Sequence, residues 1–312
     1  MKAGNLIAFD VNADQCRNVE KEFGVKTYSS LDEALSQNPD IALICTPTSL
    51  HIPAAMAAAR KGCHLFIEKP LSHTMEGVDE LIEIVAQKKL ISLVGCNMRF
   101  HPGLMKVKML LEAEAIGRVI AARIEAGQYL PDWHPSENYR KGYSAKSNLG
   151  GGVILDAIHE IDYIRWMLGE VESIACFSGR VSKLEIETED TAAIIMRFIS
   201  GTIGEVHLDY IQRVYSRTCH IIGDEGTIRW DYNTGEVRYY SAETKEWQIF
   251  KNPPGWIPNQ MYLDELSHFL RCINGEEQPT LDIIQGELVL KIALAAKASA
   301  EKMQFLRLDL RS

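Results

Sequence analysis

The sequence predicts an α/β first half built on a parallel sheet, followed by an α+β second half with a large, mostly antiparallel open sheet. Three observations carry that prediction. From Leu6 to Gly95 short apolar runs alternate with helical stretches, the pattern of strands joined by crossover helices. From Val171 to Phe250 strand-like runs follow one another across short turns, which implies antiparallel pairing. The chain has 312 residues, more than one core usually serves, and the change of pattern divides it into 1–98 and 99–312.

In chain order, Leu6 to Phe9 reads as a strand and Ala13 to Phe23 as a helix ended by Gly24. Ser30 caps a short helix from Leu31 to Ser36. Ile41 to Cys45 is the next strand, followed by the turn Thr46-Pro47-Thr48-Ser49 and a helix through Arg60 closed by Gly62. Cys63 to Ile67 is a strand, Met75 to Lys88 a helix, and Leu90 to Gly95 another strand. A helix from Pro102 to about Ala115 and a strand from Val119 to Gln128 open the second half, and Gly150 to Leu168 reads as one glycine-led helix. Among the later strands are Ala192 to Phe198, Thr202 to Tyr210 and Thr218 to Ile222, with hairpin turns at Gly223-Asp-Glu-Gly226 and Asn233-Thr-Gly235. Helices from Gln260 to Asn274 and from about Asp282 to Met303 close the sequence.

An apolar content of 46% and a charged content of 24% are those of a soluble globular protein. A net charge of −9, with Lys and Arg spread along the chain, argues against a nucleic-acid footprint. No run approaches the ~18 apolar residues of a membrane span, and the N-terminus lacks the regions of a signal peptide, so a cytoplasmic location is expected. The seven cysteines include no C-x-x-C pair. Cys45, Cys63 and Cys96 fall in apolar runs and are expected to be buried and inert, with no metal site.

Three segments can carry chemistry. Glu68-Lys69-Pro70 follows a strand, and in an open α/β sheet ligands bind beyond the carboxyl ends of the strands. Lys69 there can bind an oxyanion or move a proton; the alternative is an exposed lysine in a turn. Gly150-Gly-Gly152 leads a helix whose apolar stripe is Ile154, Ile158, Ile161 and Leu168, with Asp156, His159, Glu160 and Tyr163 opposite. His159, with an ordinary pKa of about 6.5, is the natural general base, and Asp156 can reach the same substrate; the alternative is a solvated helix face. The hydroxyls of Thr46 to Ser49 are expected to cap the helix that follows and also to line a ligand, with His51 beside them.

One segment is missing from the pattern. The strand at Leu6 reads as the second of a Rossmann-like dinucleotide-binding unit, and Asp10 fits the acidic residue that takes ribose hydroxyls. No first strand and no G-x-G-x-x-G precede it. In the usual strand order that strand is central, and its loss leaves edges with unpaired backbone groups. The expectation is a start codon placed too late or a shortened expression product.

Together these residues resemble the Gfo/Idh/MocA oxidoreductases, the glucose-fructose oxidoreductase and inositol dehydrogenase family. The resemblance runs from about Leu6 to the C-terminus through Asp10, Cys45-Thr46-Pro47 with His51, Glu68-Lys69-Pro70, Asn97-Met-Arg99-Phe100 with Pro102, Ile116-Gly117, and Gly150-Gly-Gly with Asp156 and His159. It implies a Rossmann domain, a second domain with a large open sheet, and a homo-oligomer, dimer or tetramer. It implies NAD bound by Asp10, Cys45, Thr46, Pro47, His51, Glu68, Lys69, Asn97 and Arg99. The Asp10 carboxylate would repel a 2′-phosphate, which makes NADP the lesser expectation.

Lys69, Asp156 and His159 are then the catalytic set, acting on a ring carbon of a sugar, cyclitol or sugar derivative. Many family members space the last two by four positions, and here the spacing is three. Tyr139 and Tyr163, with the segment from Trp133 and His134 to Arg140, are expected to line the substrate site alongside Lys69, Asp156 and His159. The family also contains non-catalytic binding or regulatory proteins and NAD-dependent glycosidases, and both remain alternatives.

Overall fold

In the computed structural model, residues 4–133, 135 and 137–309 are described. The first half runs β1 (Ile7–Phe9), α1 (Ala13–Phe23), β2 (Lys26–Tyr28), α2 (Leu31–Leu35), β3 (Ile41–Ile44), α3 (His51–Arg60), β4 (His64–Glu68), α4 (Val78–Lys88) and β5 (Ser92–Gly95). Gly24 ends α1 in the left-handed region (φ 66°), and the Ser30 hydroxyl accepts from Glu33 N at the start of α2. The strand β2 escapes the sequence pattern because Lys-Thr-Tyr is too short and polar to read as one. It pairs in parallel with β1, while β3, β4 and β5 form a separate parallel sheet.

The second half comprises α5 (Pro102–Glu112), β6 (Val119–Gly127), α6 (Val153–Asp156), α7 (Ile158–Leu168), β7 (Val171–Gly179), β8 (Thr191–Phe198), β9 (Ile203–Asp209), β10 (Ser216–Gly223), β11 (Gly226–Asp231), β12 (Glu236–Ser241), β13 (Glu246–Lys251), α8 (Asn259–Ile273), α9 (Ile283–Lys302) and β14 (Leu306–Arg307). Its strands make one nine-stranded sheet in the order β13-β12-β11-β10-β6-β9-β8-β7-β14, in which β6–β9 is the parallel pair. In β8, Ala192, Ile194, Met196 and Phe198 face the core and alternate with outward Ala193, Ile195 and Arg197, the period-two pattern of a sheet covered on one side. The outer face keeps large apolar groups exposed, among them Phe177, Ile195 and Trp247.

The expected single helix from Gly150 to Leu168 is two helices. Ala157 (φ −94°, ψ 35°) leaves helical geometry and separates α6 from α7. The expected division into a packed face and a ligand face also fails: Asp156, His159, Glu160 and Tyr163 are as buried as the apolar stripe. This helix pair runs through the middle of the molecule and is packed all round.

The last two helices return to the parallel sheet. Phe269 of α8 packs edge-on against Phe66 of β4, with ring centroids 5.7 Å apart. Gly286 of α9 lets the helix close on β5, where an added Cβ would sit 2.6 Å from Val94 Cγ2. No helix of the described residues is long and apolar enough to cross a membrane.

Candidate active site

The carboxyl ends of β3, β4 and β5 bring three turns to one edge of the parallel sheet. The turn after β4 holds Lys69, and the Lys69–Pro70 bond is cis. The Lys69 ammonium donates to the Asp156 backbone carbonyl at 2.7 Å and to Asp156 Oδ1 at 3.3 Å. Lys69 is therefore no exposed turn lysine. Burial is the largest influence and pushes its pKa down, but Asp156 together with Tyr143 and Glu68 outweighs this and raises it, so the ammonium stays charged.

Asp156 is a junction. Its Oδ1 also accepts from the Tyr143 hydroxyl, and its Oδ2 accepts from Ser144 Oγ at 2.6 Å and Tyr210 OH at 2.9 Å. A carboxylate read by these donors has no lone pair poised to remove a substrate proton. Its place is to hold Lys69. His159, also expected from the sequence, has its Nδ1 buried without a protein partner. Burial first, then the charges of Lys69 and Arg217, push its pKa well below 6.5, which keeps the ring neutral. Behind it Glu160 and Arg217 form a buried ion pair at 2.9 Å.

The turn after β3 departs from expectation in a useful way. Neither the short 3-10 segment Thr48–Leu50 nor α3 carries a side-chain cap, because Pro47 and Leu50 occupy the capping positions. Thr46 Oγ1 is instead buried with no protein partner. An orphaned hydroxyl at the carboxyl edge of a parallel sheet fits a bound nucleotide. Thr46, Pro47 and the exposed Cys45, which was expected to be buried, line this edge with the buried Asn97. Asp10 is exposed at the end of β1, with Oδ1 accepting from Asn12 N at 2.7 Å. Glu68 turns toward β5, its Oε2 3.3 Å from where a Cβ on Gly95 would lie.

Several expected contacts have other work. His51 is buried, with Nδ1 2.8 Å from the Pro70 carbonyl and Nε2 2.8 Å from the Thr46 carbonyl. It braces two turns and has no ring edge left for a cofactor. Arg99 is spent on Asp162, through Nε–Oδ2 at 2.8 Å and Nη2–Oδ1 at 2.7 Å, and on the Thr280 carbonyl. Tyr163 is fully buried beside Trp230. Tyr139 accepts from Glu185 N at 3.4 Å through its hydroxyl and lies under Arg140. His134 lies outside the described residues.

Tyr143, Ser144 and Tyr210 were missed. Short polar segments carry no periodicity, and their shared target is visible only in three dimensions. Trp133 belongs to the same neighbourhood through its ring, edge-on to Tyr210 at 5.4 Å.

Acid should weaken the fold, with the sign set by two buried rings. Burial and then Arg217 lower the His101 pKa to about 4, and His159 is lowered as well. Unfolded, both take protons below ~6.5. Their contribution is complete above that pH; that of His101 is lost as pH falls toward about 4, and that of His159 is lost in the same direction. The urea midpoint should therefore be lower at about pH 5 than at about pH 7, with a smaller drop in His101→Phe. An equal drop in both proteins would clear His101 of the effect.

A nucleotide-type parallel sheet whose reactive side chains meet a large antiparallel sheet defines a two-part α/β ligand-binding scaffold. Residues 6–96 match the oxidoreductase family with NAD-binding Rossmann fold, and residues 104–229 match the GFO/IDH/MocA C-terminal domain. The chain belongs to the Gfo/Idh/MocA family of oxidoreductases. It is 28% identical to myo-inositol 2-dehydrogenase of Thermotoga maritima over 96% of this chain and 90% of that one. It is 25% identical to the NAD(+)-dependent scyllo-inositol 2-dehydrogenase of Bacillus subtilis, over 95% and 86%. Its fold superimposes on levoglucosan dehydrogenase in complex with NADH and levoglucosan with a TM-score of 0.88, at 22% identity over 98% and 90% of the chains.

Proposed function

We propose that this protein moves a hydride between NAD and a ring carbon bearing a secondary alcohol on a sugar, cyclitol or sugar derivative. The observation that carries the reading is the charged Lys69, fixed by Asp156 at the carboxyl edge of the parallel sheet. Thr46, Pro47 and Asn97 would hold the nicotinamide, which would supply the hydride acceptor. Everything else falls to the protein.

His159, held neutral near the Lys69 ammonium, takes the hydroxyl proton as the alcohol is oxidised. Lys69 faces the oxygen as negative charge develops and stabilises the alkoxide. Asp156 keeps the ammonium in place and charged. The exposed Asp10 carboxylate favours NAD over NADP by repelling a 2′-phosphate.

The test is NADH formation from NAD with myo-inositol, scyllo-inositol and levoglucosan, repeated with NADP and with His159→Ala. Turnover that prefers NAD and collapses in His159→Ala supports the reading. Free sugar released from a glycoside without net NADH would replace it with a glycosidase. NADH binding without turnover on any of these would leave a binding protein.

A further inference from the structure

Tyr143 belongs to two environments at once. Its hydroxyl donates to Asp156 Oδ1, the oxygen shared with the Lys69 ammonium, yet 36% of the residue remains exposed. The next residue, Ser144, donates to Asp156 Oδ2 at 2.6 Å. Consecutive residues of the short turn Tyr143–Ala145 thus grip both oxygens of one buried carboxylate. The backbone is held too: the Ser144 carbonyl accepts from Thr188 Oγ1 at 2.8 Å and Gly152 N at 3.2 Å. Burial and the Asp156 charge both raise the phenol pKa, so the hydroxyl remains a donor.

An aromatic ring pinned at its polar end to Asp156, on a residue that keeps 36% of its surface exposed, has a defined use beside Lys69. A pyranose or cyclitol carries its hydroxyls around the rim and presents a flat face of C–H groups. That face suits the negative face of an aromatic ring. An acyclic polyol has no such face and must also give up several rotatable bonds on binding.

We propose that Tyr143 contacts the substrate and selects ring polyols, its ring covering the C–H face of the sugar or cyclitol whose reacting hydroxyl lies at Lys69. The assignment rests on the functional reading above and deepens it. It places the selectivity on a side chain other than the lysine and histidine that do the chemistry.

The experiment compares kcat/KM for myo-inositol and levoglucosan with that for the acyclic polyol sorbitol in the wild type, Tyr143→Phe and Tyr143→Ala. In Tyr143→Ala the preference for cyclic over acyclic substrates should fall by about tenfold, mostly through a higher KM for the ring substrates. Tyr143→Phe, which keeps the ring, should hold the preference within about threefold of wild type even where kcat falls. A preference unchanged in Tyr143→Ala, with kcat lowered equally for both substrate types, would make Tyr143 a support for Asp156 and overturn the assignment. So would loss of the preference in Tyr143→Phe. A wild type that turns over none of the substrates fails the functional reading itself and this inference with it.

Discussion

Lys69→Met should lower kcat for ring-alcohol oxidation by about 10²–10³, the range found when one donor to a developing oxyanion is removed. Methionine nearly matches the volume and flexibility of the lysine stem, so the change deletes the charge and little packing. The cavity left at the ammonium is bordered by Asp156, which keeps Tyr143, Ser144 and Tyr210 as donors and so remains hydrogen-bonded. The loss should fall on kcat, because the interaction strengthens as the alkoxide forms. Arginine is a poor substitute: its planar fork cannot reproduce a point charge that donates to a carbonyl and a carboxylate of the same residue. Steady-state rates for wild type, Lys69→Met and Lys69→Arg decide the matter. A Lys69→Met protein with wild-type kcat would remove the lysine from the chemistry.

The second large effect is on stability. Asp162→Ala should destabilise the fold by about 3–5 kcal/mol, read as a fall in the urea midpoint at constant slope. Arg99 and Asp162 are both almost completely buried, with side-chain exposures of 6% and 1%, and meet through two parallel hydrogen bonds. Removing the carboxylate strands a guanidinium in the interior, with the Thr280 carbonyl as its remaining hydrogen-bond acceptor. The pair joins the segment after β5 to α7, and Thr280 adds the turn before α9. A destabilised protein that keeps its KM would place this arginine in the framework, whereas the family resemblance implies a place on the cofactor. A midpoint within the wild-type error would show that the pair is worth no more than its replacement by water.

The elements that could be read from the sequence are those whose signal is local. Gly24 and Ser30 mark helix ends by their own backbone and side-chain chemistry, and the strands of the parallel sheet stand out as short apolar runs, although β3 leaves Leu43 exposed. The nine-stranded sheet was legible through its hairpins. Lys69 and His159 were visible because a strand end and a glycine-led helix mark positions as well as elements. The rest was hidden for one physical reason, which is that a linear pattern does not show a side chain's partners. Arg99 and His51 look like ligand contacts until Asp162 takes the guanidinium and the Pro70 and Thr46 carbonyls close on the two ring nitrogens. Tyr139 and Tyr143 are equivalent on paper, and only the course of the loop sends Tyr143 to Asp156. The break at Ala157 leaves no mark in an apolar, helix-compatible stretch.

The Asp156 junction also bears on when the protein becomes itself. Its donors come from 87 residues upstream, from a turn 12–13 residues before it, and from 54 residues downstream. No single segment can rehearse this arrangement alone, since closing such loops costs entropy that only the joined sheets repay. The parallel strands and the antiparallel hairpins can each take shape early from nearby contacts. Lys69 is the one of these donors that comes from the first half, so the junction is complete only where the two halves meet.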